Sequence, residues 1–269
     1  MSDWLQLKDG FGAKPVSEVT RLPIGDLRTQ AALGRVTGAT VWNKFGYNTD
    51  VDVGTEVVAA FGGTWSPLTT ATTLTAVSSA SNDVNSGSGA HGLVIYGIDA
   101  NRARQVDVLF LNGTSSVVTT TTWLGIDRVA LFRAGSGLQN EGNITVTATT
   151  GGTTQAYIAA GEGTTQQLIV HTAAGKTGLI DYLFLNAEKI SGGSNPIVTF
   201  RVWVFSAVSN AKYEVFREII DTGSGNGASE HSFPIPLVIG EKSAVYIEVT
   251  TDTANTVTSA RLSMLEVDS

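Results

Sequence analysis

The pattern of apolar and polar positions changes character at Thr40. From there onward, short runs alternate apolar and polar residues with a period of two, break at Gly, Asn, Pro or Ser, and resume. TVWNKFGYN, EVVAAFGG and LTAVSSA come first; ITVTATT, IVTFRVWVFS, KYEVFREII, SFPIPLVIG, AVYIEVTT and ARLSMLEV follow. They recur roughly every 10 to 20 residues, a spacing that suits a β-sandwich and leaves no room for helical crossovers. The helical period surfaces weakly in one place, from Ile24 to Val36, where Ile24, Leu27 and Ala31 share a face. The pattern predicts an all-β protein, a sandwich or jelly-roll, with at most one or two short helices.

The stretch from 91 to 145 organises the rest. Val106, Val108 and Phe110 are predicted on one side of a strand, with Asp107, Leu109 and Leu111 on the other. Both sides are largely apolar, so the strand should be covered twice, inside a sandwich or against a neighbouring subunit. A homo-oligomer follows, most simply a trimer. VDVLFLNG at 106–113 is echoed by IDYLFLNA at 180–187, identical at five of eight positions. The echo fits two similar lobes, 40–150 and 151–269, or two buried strands of one type that converged. The segment SNDVNSGSGAHG, 81–92, is small and polar and reads as a loop that is mobile or held by a partner.

Residues 1–39 sustain neither period. Pro15, Pro23 and several Gly punctuate them, yet Trp4, Leu5, Leu7 and Phe11 are too apolar for a solvated tail. They predict an extended N-terminal arm that orders by laying these four side chains on its own body or on a neighbour.

Composition narrows the function classes. The 269 residues carry 17 Lys and Arg against 24 Asp and Glu, a net charge of −7. A nucleic-acid surface, normally basic with interleaved aromatics, is not expected. Cysteine is absent, which removes disulfides and thiolate chemistry. The first residues lack the basic start and apolar run of a secretion signal, and no apolar run reaches membrane-spanning length, so neither export nor a membrane partner is expected.

Candidate chemistry is sparse. AAGKTG at 173–178 ends like a phosphate-binding loop, but the motif needs Gly at position 170, which is Val. It reads as a turn between strands. Asn48, Asp50 and Asp52 alternate like calcium ligands, yet the sixth and twelfth positions of such a loop are Val53 and Ala59. A solvated strand edge explains them. His91, His171 and His231 show no metal spacing, and no Ser sits in a GxSxG elbow. The acids Glu141, Glu162, Asp181 and Glu188 lack a recognisable spacing, and Trp42, Trp65, Trp123 and Trp203 read as core or interface rather than a sugar platform. Asn112-Gly113-Thr114 and Asn143-Ile144-Thr145 read as turns. No catalytic, cofactor or metal residue is predicted.

Several segments carry a family likeness: TVWNKFGYNTDVDVGTE, SSASNDVNSGSGAHGLVIYGID, VDVLFLNGTSSVVTTTTWLGIDRVALF, GNITVTA and TTQQLIVHTAAGKTGLI. In these the chain resembles virion structural proteins of tailed bacteriophages, of the marine phage type. The resemblance implies a non-enzymatic sandwich or jelly-roll built into a particle assembled in the host cytoplasm. A capsid decoration or cement protein, contacting the major capsid protein and copies of itself, is the first expectation. A tail- or fibre-associated adsorption protein binding host glycans through sandwich loops is the alternative. No catalytic motif comes with the resemblance.

Overall fold

The computed structural model describes residues 27–190, 195–223 and 226–269, preceded by the backbone of a two-stranded ribbon, β1 (Lys8–Asp9) and β2 (Gly12–Ala13). A six-residue helix, α1 (Leu27–Ala32), falls within the weakly helical 24–36. The chain then alternates strand and turn through β3 (Thr40–Val51), β4 (Gly54–Val57), β5 (Leu74–Ser78), β6 (Ala90–Ile98), β7 (Arg104–Phe110), β8 (Val117–Val118) and β9 (Gly125–Ala134). It continues through β10 (Ile144–Ala148), β11 (Thr154–Ile158), β12 (Ile169–His171), β13 (Lys176–Lys189), β14 (Ile197–Ser206) and β15 (Ala211–Asp221). The last strands are β16 (Asn226–Ile239), β17 (Ser243–Thr251) and β18 (Thr256–Asp268). The all-β expectation holds. No helix among the described residues is long and apolar enough to cross a membrane.

Antiparallel pairing gives four sheets beyond the first ribbon: β11-β10-β5-β8, β7-β6-β9, β16-β13-β18-β3 and β12-β17-β14-β15. Alternation along each strand decides which side is apolar, and the apolar sides meet in pairs. Leu183, Leu185, Ala260, Leu262 and Met264 of one four-stranded sheet share a cluster with Val198, Phe200, Val202, Val245 and Ile247 of another. Leu74, Ala76, Ile144, Val146 and Ile158 share a second cluster with Leu93, Ile95, Ile126 and Val129. Each of the larger side chains, Val, Leu, Ile, Phe or Met, contributes about 1.5–3 kcal/mol when fully buried. Trp65 packs on Tyr246 with ring centroids 4.9 Å apart, in a smaller cluster with Ile169 and Ala244.

Sheet membership departs from chain order at β3. It pairs with β18, Phe45 opposite Arg261 and Gly46 opposite Ala260, so residues 40–51 lie with strands from the far end of the chain. Arg28 of α1 pairs with Asp181 of β13 at 2.5 Å, which fastens the helix to that same sheet.

The loop 81–92 is anchored by its own chain. The fully buried Asp83 carboxylate accepts from Ser78 Oγ at 2.5 Å and from the backbone N–H groups of Ala90, Glu141 and Gly142 at 2.7–3.0 Å. Four charge-assisted bonds satisfy both oxygens. Gly89 makes room for this: a Cβ there would sit 2.1 Å from Asp83 Oδ1.

Candidate functional site

The strand singled out by the pattern, β7, is an edge of the three-stranded sheet β7-β6-β9. Its sides sort as the alternation requires. Leu109 and Leu111 pack into the second core cluster, and Val106, Val108 and Phe110 point the opposite way. That opposite side is bare: Val106 is 60% exposed, Val108 38% and Phe110 52%. Phe132 of β9, 56% exposed, meets Phe110 edge-to-face at 6.4 Å. Half-buried Val94 and Tyr96 of β6 lie opposite Val108 and Val106 and complete the face. Among the described residues, the double cover expected for this strand is therefore supplied on one side alone.

The echoed segment lies in β13, a central strand. Its outward residues Tyr182 and Phe184 are half-buried, with Ser263 and Arg261 of β18 beside them and Ser232 and Glu230 of β16 on the other flank.

Between the two sheets lies a buried charge cluster. Asp127 of β9, fully buried, receives the backbone N–H of His171 at 2.7 Å and stands 2.8 Å from His171 Nδ1. Arg104, at the start of β7, pairs with Asp127 at 2.5 Å and with Glu266 of β18 at 2.9 Å. Glu266 also accepts from Ala173 N at 2.8 Å and Trp42 Nε1 at 3.1 Å. Lys44 of β3 sends its amine to the Asp127 carbonyl. Burial by itself would raise the Asp127 pKa; Arg104, His171 and Lys44 outweigh it and hold the carboxyl below its ordinary value. Burial dominates at Lys44 and, with Arg128 and Arg104 adding to it against the pull of Asp127, lowers its pKa from 10.5 to about 8.

The Asp127–His171 pair resembles half of a catalytic triad, but its far side is sealed. His171 is 1% exposed, and Nε2 is buried without a hydrogen-bond partner. The Gly125 backbone closes over it, since a Cβ there would stand 2.2 Å from Nε2. A base must reach the proton it takes, directly or through one water. This imidazole reaches neither, and the cluster works as a clasp between sheets.

The remaining candidates stay apart. Trp4, Leu5, Leu7 and Phe11 lie outside the described residues. Asp50 and Asp52 are exposed, whereas Asn48 is buried and donates to Glu56 at 2.9 Å; Glu56 also accepts from the N–H groups of Asp52 and Gly63 and so pins the β3–β4 turn. Among the described residues no three His, Asp or Glu converge as metal ligands. AAGKTG is the turn between β12 and β13, with Lys176 bonded to Asp268 and the Gly38 carbonyl. His91 and His231 lie apart from His171; His231 is 2.8 Å from Ser229 Oγ on an open strand. Trp65 and Trp123 are buried, and Trp42 and Trp203 are half-buried against core clusters.

No family model matches the chain, and no curated protein matches it. Among solved structures, the chain has a faint likeness to the VP2 subviral particle of infectious bursal disease virus: 9% identity, TM-score 0.22, covering 85% of this chain and 72% of that one. Structures of the Gx and Gt strains of the same virus give 9% identity each, with TM-scores of 0.21 and 0.19 and coverage of 86% and 90% of this chain, 73% and 82% of theirs. A likeness this faint decides nothing about what the chain does, so the bare face of β7-β6-β9 stands as the candidate site on its own residues.

Proposed function

We propose that the protein is a non-enzymatic structural subunit of a bacteriophage virion, a capsid decoration or cement protein that assembles in several copies, most simply as a trimer. Its facing sheets are read as sandwich or jelly-roll layers, and it meets the major capsid protein as well as itself on a particle built in the host cytoplasm. The observation that carries this reading is the bare face of Val106, Val108, Phe110 and Phe132. At their exposures these residues and their neighbours present roughly 400 Å² of apolar surface, taking about 150–250 Å² for an aromatic side chain. A standard interface takes about 800 Å² from each partner, somewhat over half of it apolar. The face is therefore of the size that one copy covers on another. The sealed Asp127–His171 pair supports the non-enzymatic half of the reading. The arm, 1–39, is proposed to anchor on a neighbour through Trp4, Leu5, Leu7 and Phe11.

Binding to host glycans draws less support, because Trp65 and Trp123 are buried and the exposed apolar face is flat and aliphatic as much as aromatic. The test is occupancy on purified particles of full-length protein and of a variant lacking residues 2–26. Stoichiometric incorporation of the full chain, sharply reduced in the variant, is expected; full incorporation of the variant would remove the arm from the account, and absence of the full chain from particles would remove the function.

A further inference from the structure

β3 is the outer strand of its sheet, and its open edge is only half filled. Tyr47 N–H points away from β18 and donates to Gln166 O at 3.4 Å. Antiparallel alternation then turns the N–H and C=O groups of Val41, Asn43 and Phe45 toward the same open side, while Trp42, Lys44 and Gly46 bond to β18. Among the described residues nothing accepts from the Asn43 or Phe45 N–H. Beside this edge runs a cleft of about 500 Å³, floored by Trp42 and Lys44 and walled opposite by Arg128, Thr164, Thr165 and Gln166. Its lining includes two cations and no carboxylate, in a chain of net charge −7. Arg128 is exposed and donates Nε to Thr164 Oγ1 at 3.2 Å; among the described residues it has no acidic partner.

We propose that this cleft is a strand-addition site for an extended, acidic segment of a partner protein. Two unpaired N–H groups two residues apart stand about 7 Å from each other along a strand, the repeat at which an antiparallel partner offers its carbonyls. Strand addition draws affinity from such main-chain bonds and specificity from alternate side chains. The guanidinium of Arg128, planar and without an acidic partner among the described residues, selects a carboxylate on the incoming strand. Gln166 closes the upper end of this edge, its carbonyl accepting from Ala60 N–H at 3.0 Å and from Tyr47 N–H at 3.4 Å, so the open groups begin below it at Phe45. The cleft shares no residue with the apolar face of Val106, Val108, Phe110 and Phe132.

The test pans a display library of random octapeptides on the full-length protein. Enriched peptides should alternate β-branched residues with Asp or Glu, bind with micromolar affinity by fluorescence anisotropy, and slow amide hydrogen exchange at Asn43 and Phe45. Arg128→Glu, an exposed change, should weaken them at least tenfold, and Arg128→Gln several-fold. Failure to enrich any peptide would overturn the proposal. So would peptides that bind Arg128→Glu equally or leave both amides unprotected, or displacement by glutamate alone at similar concentration. Loss of self-association in Arg128→Glu without any peptide would assign the cleft to a second copy instead, and equally overturn it.

Discussion

Residues 106–113 and 180–187 share the core sequence LFLN and the same inward leucines, yet their outer sides end in different surroundings. In β13 the outward Phe184 has a strand on each flank, with Arg261 opposite it on β18 and Glu230 opposite it on β16. In β7 the outward Phe110 has β6 on one flank, where its partner is Gly92, and an open edge on the other. Glycine offers no side chain to cover a ring. One local sequence thus gives a closed polar-aromatic surface at the centre of a sheet and a bare apolar one at an edge. The neighbours, rather than the strand, decide whether a face is finished within one chain. Arg104, reaching from β7 to Glu266 on β18 beside β13, ties the two settings together.

Removing the carboxylate at the centre of this clasp should have the largest effect. Asp127→Ala leaves Arg104 facing a site without its carboxylate and His171 without its partner, and should cost about 3–5 kcal/mol in urea unfolding. Loss of less than 1 kcal/mol would mean the two sheets hold together without the clasp. Next come the shared inward leucines. Leu185→Ala and Leu111→Ala should each cost about 2–5 kcal/mol, because both side chains are buried whatever covers the other side of the strand. A large cost at one and a negligible one at the other would break the equivalence of the two segments.

How much of this could be read from the chain depends on distance along it. The sorting of Val106, Val108 and Phe110 from Leu109 and Leu111 is a period-two property and was legible. So was the placement of Trp65 and Trp123 in core. The pairing of β3 with β18 spans most of the chain and leaves no local mark. The clasp was hidden for the same reason, since Lys44, Arg104, Asp127, His171 and Glu266 come from five strands. One trace existed: in IDRVALF, Asp127 shares the inward side with Val129, and a carboxylate on a core-facing position demands a buried partner. The loop 81–92 misled because its composition is that of mobile loops, while Asp83 inside it supplies the anchor.

Lys44 loses its proton at about 8 in the folded protein and near 10.5 when unfolded. Between these values the unfolded chain binds more protons, so folding stability contributed by Lys44 rises with pH across that window and levels off above it. The gain is on the order of 3 kcal/mol. Lys44→Met should lose this rise, as measured by urea unfolding at pH 7.5 and 10.5 beside the unaltered protein; an identical rise in both would place its origin elsewhere. Asp127 has the opposite sense: its folded pKa is depressed, so its contribution is present above the ordinary carboxylate range and fades as pH falls below it. The smallest effect belongs to the closed surface. Phe184→Asp should cost about 1 kcal/mol through lost cross-strand contacts and the nearby Glu230, and should leave the number of associated copies unchanged.

The most direct measurement is the mass in solution, by light scattering at micromolar concentration, of the unaltered protein and of Phe110→Asp, with sheet content checked by circular dichroism. The account predicts an oligomer for the first and a folded monomer for the second. A monomeric unaltered protein, or a variant that stays fully associated, would contradict the claim that the bare face of β7 is where one copy meets another.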